Sequence, residues 1–77
     1  MDWDDESDCR GLLCPLPVLR AQKRLRSMTS GQVLRVLATD AMAAIDLPHF
    51  CAEAGHVFLL GRPLEDGSGS EYFVRCR

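Results

Sequence analysis

The residues of this 77-residue chain best able to carry chemistry are its four cysteines. Cys9 and Cys14 fall in the run Cys9-Arg10-Gly11-Leu12-Leu13-Cys14-Pro15-Leu16-Pro17-Val18-Leu19, which also holds two of the four prolines. A helical pattern follows. Pro15 suits a first helical position, since its φ is preset and its missing N–H would be unpaired there. Pro17 still lies in the first turn, where intrahelical partners are lacking. This spacing puts Cys14 at the N-cap, where a thiolate feels the positive end of the helix dipole and can accept an N–H such as that of Leu16. A free thiol titrates near ~8.5, and a helix N-terminus can lower that to about 3.5–7.5. Cys14 is therefore a candidate nucleophile, its bland alternative being a small apolar residue that fills a turn. Gly11 turns the chain toward the helix, so Gly11, Pro15, Leu16 and Pro17 form the support of that helix start.

Other chemistries find less to work with. There are no paired carboxylates and no Cys-His dyad, so ordinary nucleophilic catalysis lacks its base. His49 reads as a surface residue and His56 as a strand-edge residue. Cys9, Cys14, Cys51 and Cys76 lack a Cys-x-x-Cys pair and finger spacing, so no metal is expected. A disulfide framework is disfavoured because the acidic start, Met1-Asp2-Trp3-Asp4-Asp5-Glu6, is the opposite of an export signal. No apolar run approaches the ~20 residues of a membrane helix. The expectation is a monomer in the cytoplasm, with reduced cysteines, no cofactor and no membrane contact.

The elements that must position Cys14 are legible in order. Residues 1–6 read as a flexible acidic tail and 7–77 as one domain. A short strand at Ser7–Arg10 precedes a helix over Pro15–Met28, with Val18, Ala21, Leu25 and Met28 on its sheet-facing stripe. Val33–Ala38 is a buried strand, joined to the first by a right-handed parallel crossover. Asp40 is a good N-cap for a second helix from about Ala41 to Ala54, with a break near Asp46-Leu47 caused by Pro48 and a C-terminal cap at Gly55. His56–Leu60 and Glu71–Cys76 form an antiparallel hairpin with a mobile polar loop. The order β-α-β-α-β-β gives an α/β two-layer sandwich, a four-stranded mixed sheet with two helices on one face.

Net charge is −2, but the charges are segregated. Residues 2–8 carry five acids, while residues 9–38 carry six bases and no acid. The functional reading is a basic docking surface; the bland one is a solvated helix face. Leu16 and Leu19 point toward the same arc as Lys23 and Arg26, a mixed strip suited to protein contact, although Leu19 could equally pack on the second helix. Low aromatic content and negative net charge argue against direct nucleic-acid binding by that helix.

The run Asp8-Cys9-Arg10-Gly11-Leu12-Leu13-Cys14-Pro15-Leu16-Pro17-Val18-Leu19 resembles the signature of the TusA-like (SirA-like) sulfur-carrier family. The resemblance continues through Gly31, Thr39-Asp40, Asp46-Leu47-Pro48, Phe50-Cys51 and Gly55-His56. Two positions depart from it: Ser7 stands where the family has an apolar residue, and Ala41 where it often has proline. The resemblance implies that Cys14 carries a persulfide and hands its sulfur to a partner protein. It implies a cysteine desulfurase or rhodanese-like donor and an acceptor pathway such as tRNA thiolation, molybdenum cofactor maturation or sulfur oxidation. It also implies that Lys23, Arg26 and Asp40 lie near the surface that meets the sulfur donor, and Leu19, on the same strip, joins them as a docking candidate. The competing readings are a nucleic-acid or protein-binding module built on the basic helix, and a Cys9/Cys14 thiol–disulfide regulator. For Cys9, a buried apolar role is expected.

Overall fold

The computed structural model describes residues 1–77 as six elements: β1 (Asp5–Cys9), α1 (Leu16–Arg26), β2 (Val33–Ala38), α2 (Ala43–Ala54), β3 (Val57–Pro63) and β4 (Ser70–Arg75). The sheet order is β1-β2-β4-β3, with β1 parallel to β2 and the other pairs antiparallel. This is the expected two-layer sandwich. Alternation along the strands decides which face meets the helices. Cys9, Leu34, Val36, Ala38, Tyr72, Val74 and Cys76 join Ala21, Leu25, Ala43, Leu47 and Cys51 in one core between sheet and helices. Val18 and Met28 pack against this core as partly buried side chains.

The first strand starts at Asp5, two residues earlier than the sequence suggests. The backbone N–H of Asp4 donates to Val33 O at 2.8 Å, and Asp4 Oδ2 accepts the Val33 N–H at 2.8 Å. Asp5 and Glu6 thus belong to the sheet, not to a tail. Ser7, the polar departure from the family pattern, is buried with its hydroxyl 3.3 Å from Cys9 Sγ.

The segregated charges find each other. Asp8, Asp5 and Glu6 pair with Arg10, Arg24 and Arg35 at 2.7–2.8 Å. Arg35 also donates to Glu71, which accepts from Arg62 as well. Whereas Asp5 pairs with Arg24 of α1 on the helix side, the Glu6–Arg35–Glu71–Arg62 part of this network lies on the sheet face that carries no helix. Phe73 sits there too, fully buried. Trp3 lies over it, ring centroids 5.7 Å apart, and the Arg62 guanidinium is 5.8 Å from its ring.

Pro48 does not break α2, contrary to the expectation from its missing N–H. The helix runs unbroken from Ala43 to Ala54. Pro48 is the sixth of its twelve residues, and the carbonyl it cannot serve, that of Ala44, belongs to an exposed residue that water can reach. Gly55 closes the helix at φ 83°, as expected. The hairpin strands are offset from the expected bounds. β3 extends to Pro63, which an edge strand tolerates, and a bulge between Phe58 and Leu60 resets its register.

Candidate functional site

Parallel β1 and β2 end at the same edge of the sheet, and a helix follows each. Both helix starts therefore meet there, the usual place for a site in such a crossover fold. Three bonds fix the connection from β1 to α1. Leu12 N–H donates to Cys9 O at 3.1 Å, Gly11 N–H to Thr39 Oγ1 at 2.9 Å, and Cys14 N–H to Asp40 Oδ2 at 2.7 Å. Gly11 adopts φ 84°, a left-handed conformation that favours glycine.

Cys14 stands one residue farther out than its spacing suggests. Pro15 is the N-cap, Leu16 opens the helix, and the Cys14–Pro15 peptide is cis. The Leu16 N–H, expected to face the sulfur, donates instead to Leu13 O at 2.9 Å. The sulfur turns to the other helix: Cys14 Sγ donates to Asp46 Oδ2 at 3.0 Å. This reverses the expected electrostatics. The hydrogen bond to Asp46 pushes the Cys14 thiol above its ordinary range, with desolvation and the negative charges of Asp46 and Asp40 acting the same way. A carboxylate in contact outweighs the dipole of a helix whose N–H groups point elsewhere.

Asp40 has a structural task. Its Oδ1 accepts Met42 N–H at 3.0 Å while Oδ2 holds Cys14. Those two N–H bonds, Met42 first, keep its carboxyl below the usual range. It does not cap α2 directly, as expected, because a tight turn through Ala41 and Met42 intervenes before Ala43.

Cys14 is the one exposed cysteine; Cys9, Cys51 and Cys76 are buried. Cys9 is fully enclosed in the core, so it cannot reach Cys14 without unfolding β1. Beside Cys14 runs a shallow groove lined by Pro15, Val18, Asp46, His49, Phe50 and Glu53. Exposed apolar side chains surround this end of the molecule: Leu13, Leu16 and Leu19 from the α1 side, Met42 and Ile45 from the start of α2. Lys23 and Arg26 are not beside Cys14. They lie in the last two turns of α1, roughly 13–18 Å along its axis, and line different grooves: Lys23 with Arg20 and Arg24, Arg26 with His56 and Arg77.

Sequence reasoning missed Asp46 as the partner of the thiol, Thr39 as the anchor of Gly11, and Met42 and Ile45 in the apolar collar. The signal available for Asp46 was topological: it lies in the first turn of the helix that follows the parallel neighbour of β1.

Comparison with known proteins agrees with this geometry. The family model "Sulfurtransferase TusA" matches residues 6–75. The chain is 40% identical over 74 residues to the sulfur carrier protein TusA of Allochromatium vinosum, covering 96% of this chain and 95% of that protein. It is 56% identical over 52 residues to a putative sulfur carrier protein of Neisseria meningitidis serogroup A, covering 68% and 70%. The crystal structure of a SirA-like protein from Desulfitobacterium hafniense superposes with a TM-score of 0.80 at 25% identity, covering 94% and 96%. A family signature spanning nearly all of the chain, a matching fold and an exposed cysteine at a helix start lead to one assignment: this chain belongs to the TusA family of sulfurtransferases.

Proposed function

We propose that this protein is a sulfur carrier in which Cys14 holds the sulfur as a persulfide. In loading, the Cys14 thiolate attacks the outer sulfur of a persulfide on the donor. The donor's S–S bond breaks, a new one forms at Cys14, and the donor cysteine leaves as a thiolate that takes up the proton Cys14 gave up. Unloading repeats the exchange with an acceptor thiol attacking Cys14-bound sulfur. No metal or cofactor enters either step. The donor is a cysteine desulfurase or a rhodanese-like protein, met by a monomer in the cytoplasm, and Leu19, Lys23, Arg26 and Asp40 contribute to docking.

The observation that carries this reading is that the single exposed thiol is ringed by exposed leucine, methionine and isoleucine. Such a collar suits a protein partner, and apolar contact of this kind is what a protein interface buries at its centre. On the basic helix only Arg24 is occupied by the chain's own acids, so what weighs against the nucleic-acid alternative is the low aromatic content and the negative net charge. The redox alternative is weakened by the burial of Cys9.

Incubation with a cysteine desulfurase and free cysteine should add one reducible sulfur atom, read by intact-mass spectrometry. Cys14→Ser should fold normally and accept none. Continued loading of Cys14→Ser, or loss of loading in Cys51→Ser alone, would assign the site elsewhere.

A further inference from the structure

We propose that Asp46 is a positioning residue for Cys14: its carboxylate holds the empty sulfur as a neutral thiol turned toward α2 and releases it once a second sulfur is attached. This deepens the carrier reading and rests on it for the loaded state. The resting-state half stands on geometry alone.

A thiol has one hydrogen to give, and Cys14 Sγ gives it to Asp46 Oδ2 at 3.0 Å. In a persulfide, Sγ carries no hydrogen. The proton sits on the terminal sulfur, about 2.05 Å farther along the new bond, or is lost. In the first case the donor has moved away from Oδ2. In the second an anion faces a carboxylate. Either way the contact that holds the empty sulfur ends on loading.

No lysine or arginine lines the groove beside the sulfur to stabilise a resting thiolate. From α2, the groove presents Asp46, His49 and Glu53; from the α1 side it presents Pro15 and Val18, without charge. Asp40, in the connection after β2, spends its two oxygens on Met42 and Cys14 backbone N–H groups. His49, the one group able to carry positive charge there, has its Nε2 2.8 Å from Glu53 Oε1. The direction of the Cys14 shift, upward with Asp46 as its largest cause, agrees with this arrangement. An empty carrier built this way is slow to react with stray disulfides and oxidants, which attack or are attacked by thiolates.

The test is the pH dependence of alkylation by iodoacetamide, using the reduced full chain without any sulfur donor. Cys9, Cys51 and Cys76 are buried, so the signal belongs to Cys14, with Cys14→Ser as the blank. The wild type should show a midpoint above that of a free thiol, and Asp46→Asn should lower it. At pH 7 each tenfold gain in thiolate is partly offset by the lower nucleophilicity of a more acidic thiol, leaving about a threefold faster reaction. A helix-stabilising role alone would change the melting temperature and leave the midpoint in place. A folded Asp46→Asn chain with an unchanged midpoint overturns the proposal. Should that variant not fold, the wild type still decides: the Asp46 carboxyl carbon resonance must move at the thiol midpoint and must not do so in Cys14→Ser, and its failure to respond overturns the proposal. Neither measurement needs a donor, so a failure of the chain to load sulfur would refute the carrier reading without touching this one.

Discussion

Replacing Trp3 by alanine should destabilise the protein by about 1–2 kcal/mol while leaving Cys14 reactivity unchanged. Trp3 is 43% exposed, so somewhat more than half of its surface is covered. For a side chain that buries up to ~250 Å², that is about 140 Å², or roughly 3–4 kcal/mol at ~25 cal/mol per Å². A compact denatured chain already hides some of this area, which trims the figure to about 2–3 kcal/mol. Ordering the side chain and the adjacent backbone costs about 1–2 kcal/mol more. The contact with Phe73 and the Arg35 guanidinium 4.6 Å from the indole centroid add about 0.5–1.5 kcal/mol each way of counting. Urea unfolding checks the sum. With a slope of about 1 kcal/mol/M for so small a domain, the midpoint should fall by about 1–2 M. A double-mutant cycle with Phe73→Leu should give a coupling of about 0.5–1.5 kcal/mol. Trp3 is the sole tryptophan, so its fluorescence in the wild type reports the same packing. A loss below ~0.5 kcal/mol, the range of ordinary surface substitutions, together with emission already red-shifted in the folded state, would refute the reasoning.

Two further perturbations test the core behind the site. Burial pushes the Cys51 thiol up to about 11. A folded value above the unfolded one, 9.0, means that its contribution is complete below that pH and is lost as pH rises through about 11, an alkaline loss of roughly 2–3 kcal/mol; chemical melts at several pH values should show a slope that Cys51→Ala removes, and an identical slope in the variant would refute it. In Gly61→Ala, the new Cβ would lie 2.5 Å from Tyr72 Cδ1 and 2.8 Å from Cε1; displacing that buried ring should cost about 1–3 kcal/mol in urea melts, and a neutral result would show that the ring yields freely.

The order of elements could be read from the chain because each obeys its own period. The α1 stripe of Ala21 and Leu25, the buried run of β2 and the alternation of Tyr72, Val74 and Cys76 all face the core as their spacing requires. What escaped was set by partners distant in sequence. Asp5 and Glu6 are poor strand formers, yet they join β1 because Arg24 and Arg35 neutralise them and the Asp4 backbone pairs with Val33. Pro63 ends a strand because β3 lies at the sheet edge. The cysteine itself was legible from Cys14-Pro15-Leu16-Pro17, but the sign of its electrostatics was not. The helix dipole is a local property, visible in the sequence. The Asp46 contact joins residues 32 apart, and only the parallel crossover brings them together.

That contact has a consequence for any partner. Around Cys14 the titratable groups are Asp40, Asp46, His49 and Glu53, while Arg20, Lys23 and Arg26 form no ion pair and lie farther along α1. An apolar surface that covers Leu13, Leu16, Met42 and Ile45 excludes water from the sulfur, and desolvation disfavours the thiolate still more. Covering the collar cannot by itself activate the nucleophile. A donor that takes its proton and draws out the thiolate must bring a base or a positive group to the sulfur, opposing Asp46. Partner selection at this end is then electrostatic as well as apolar, since a surface that matches the collar but carries its own carboxylates would meet Asp40 and Asp46 with like charge.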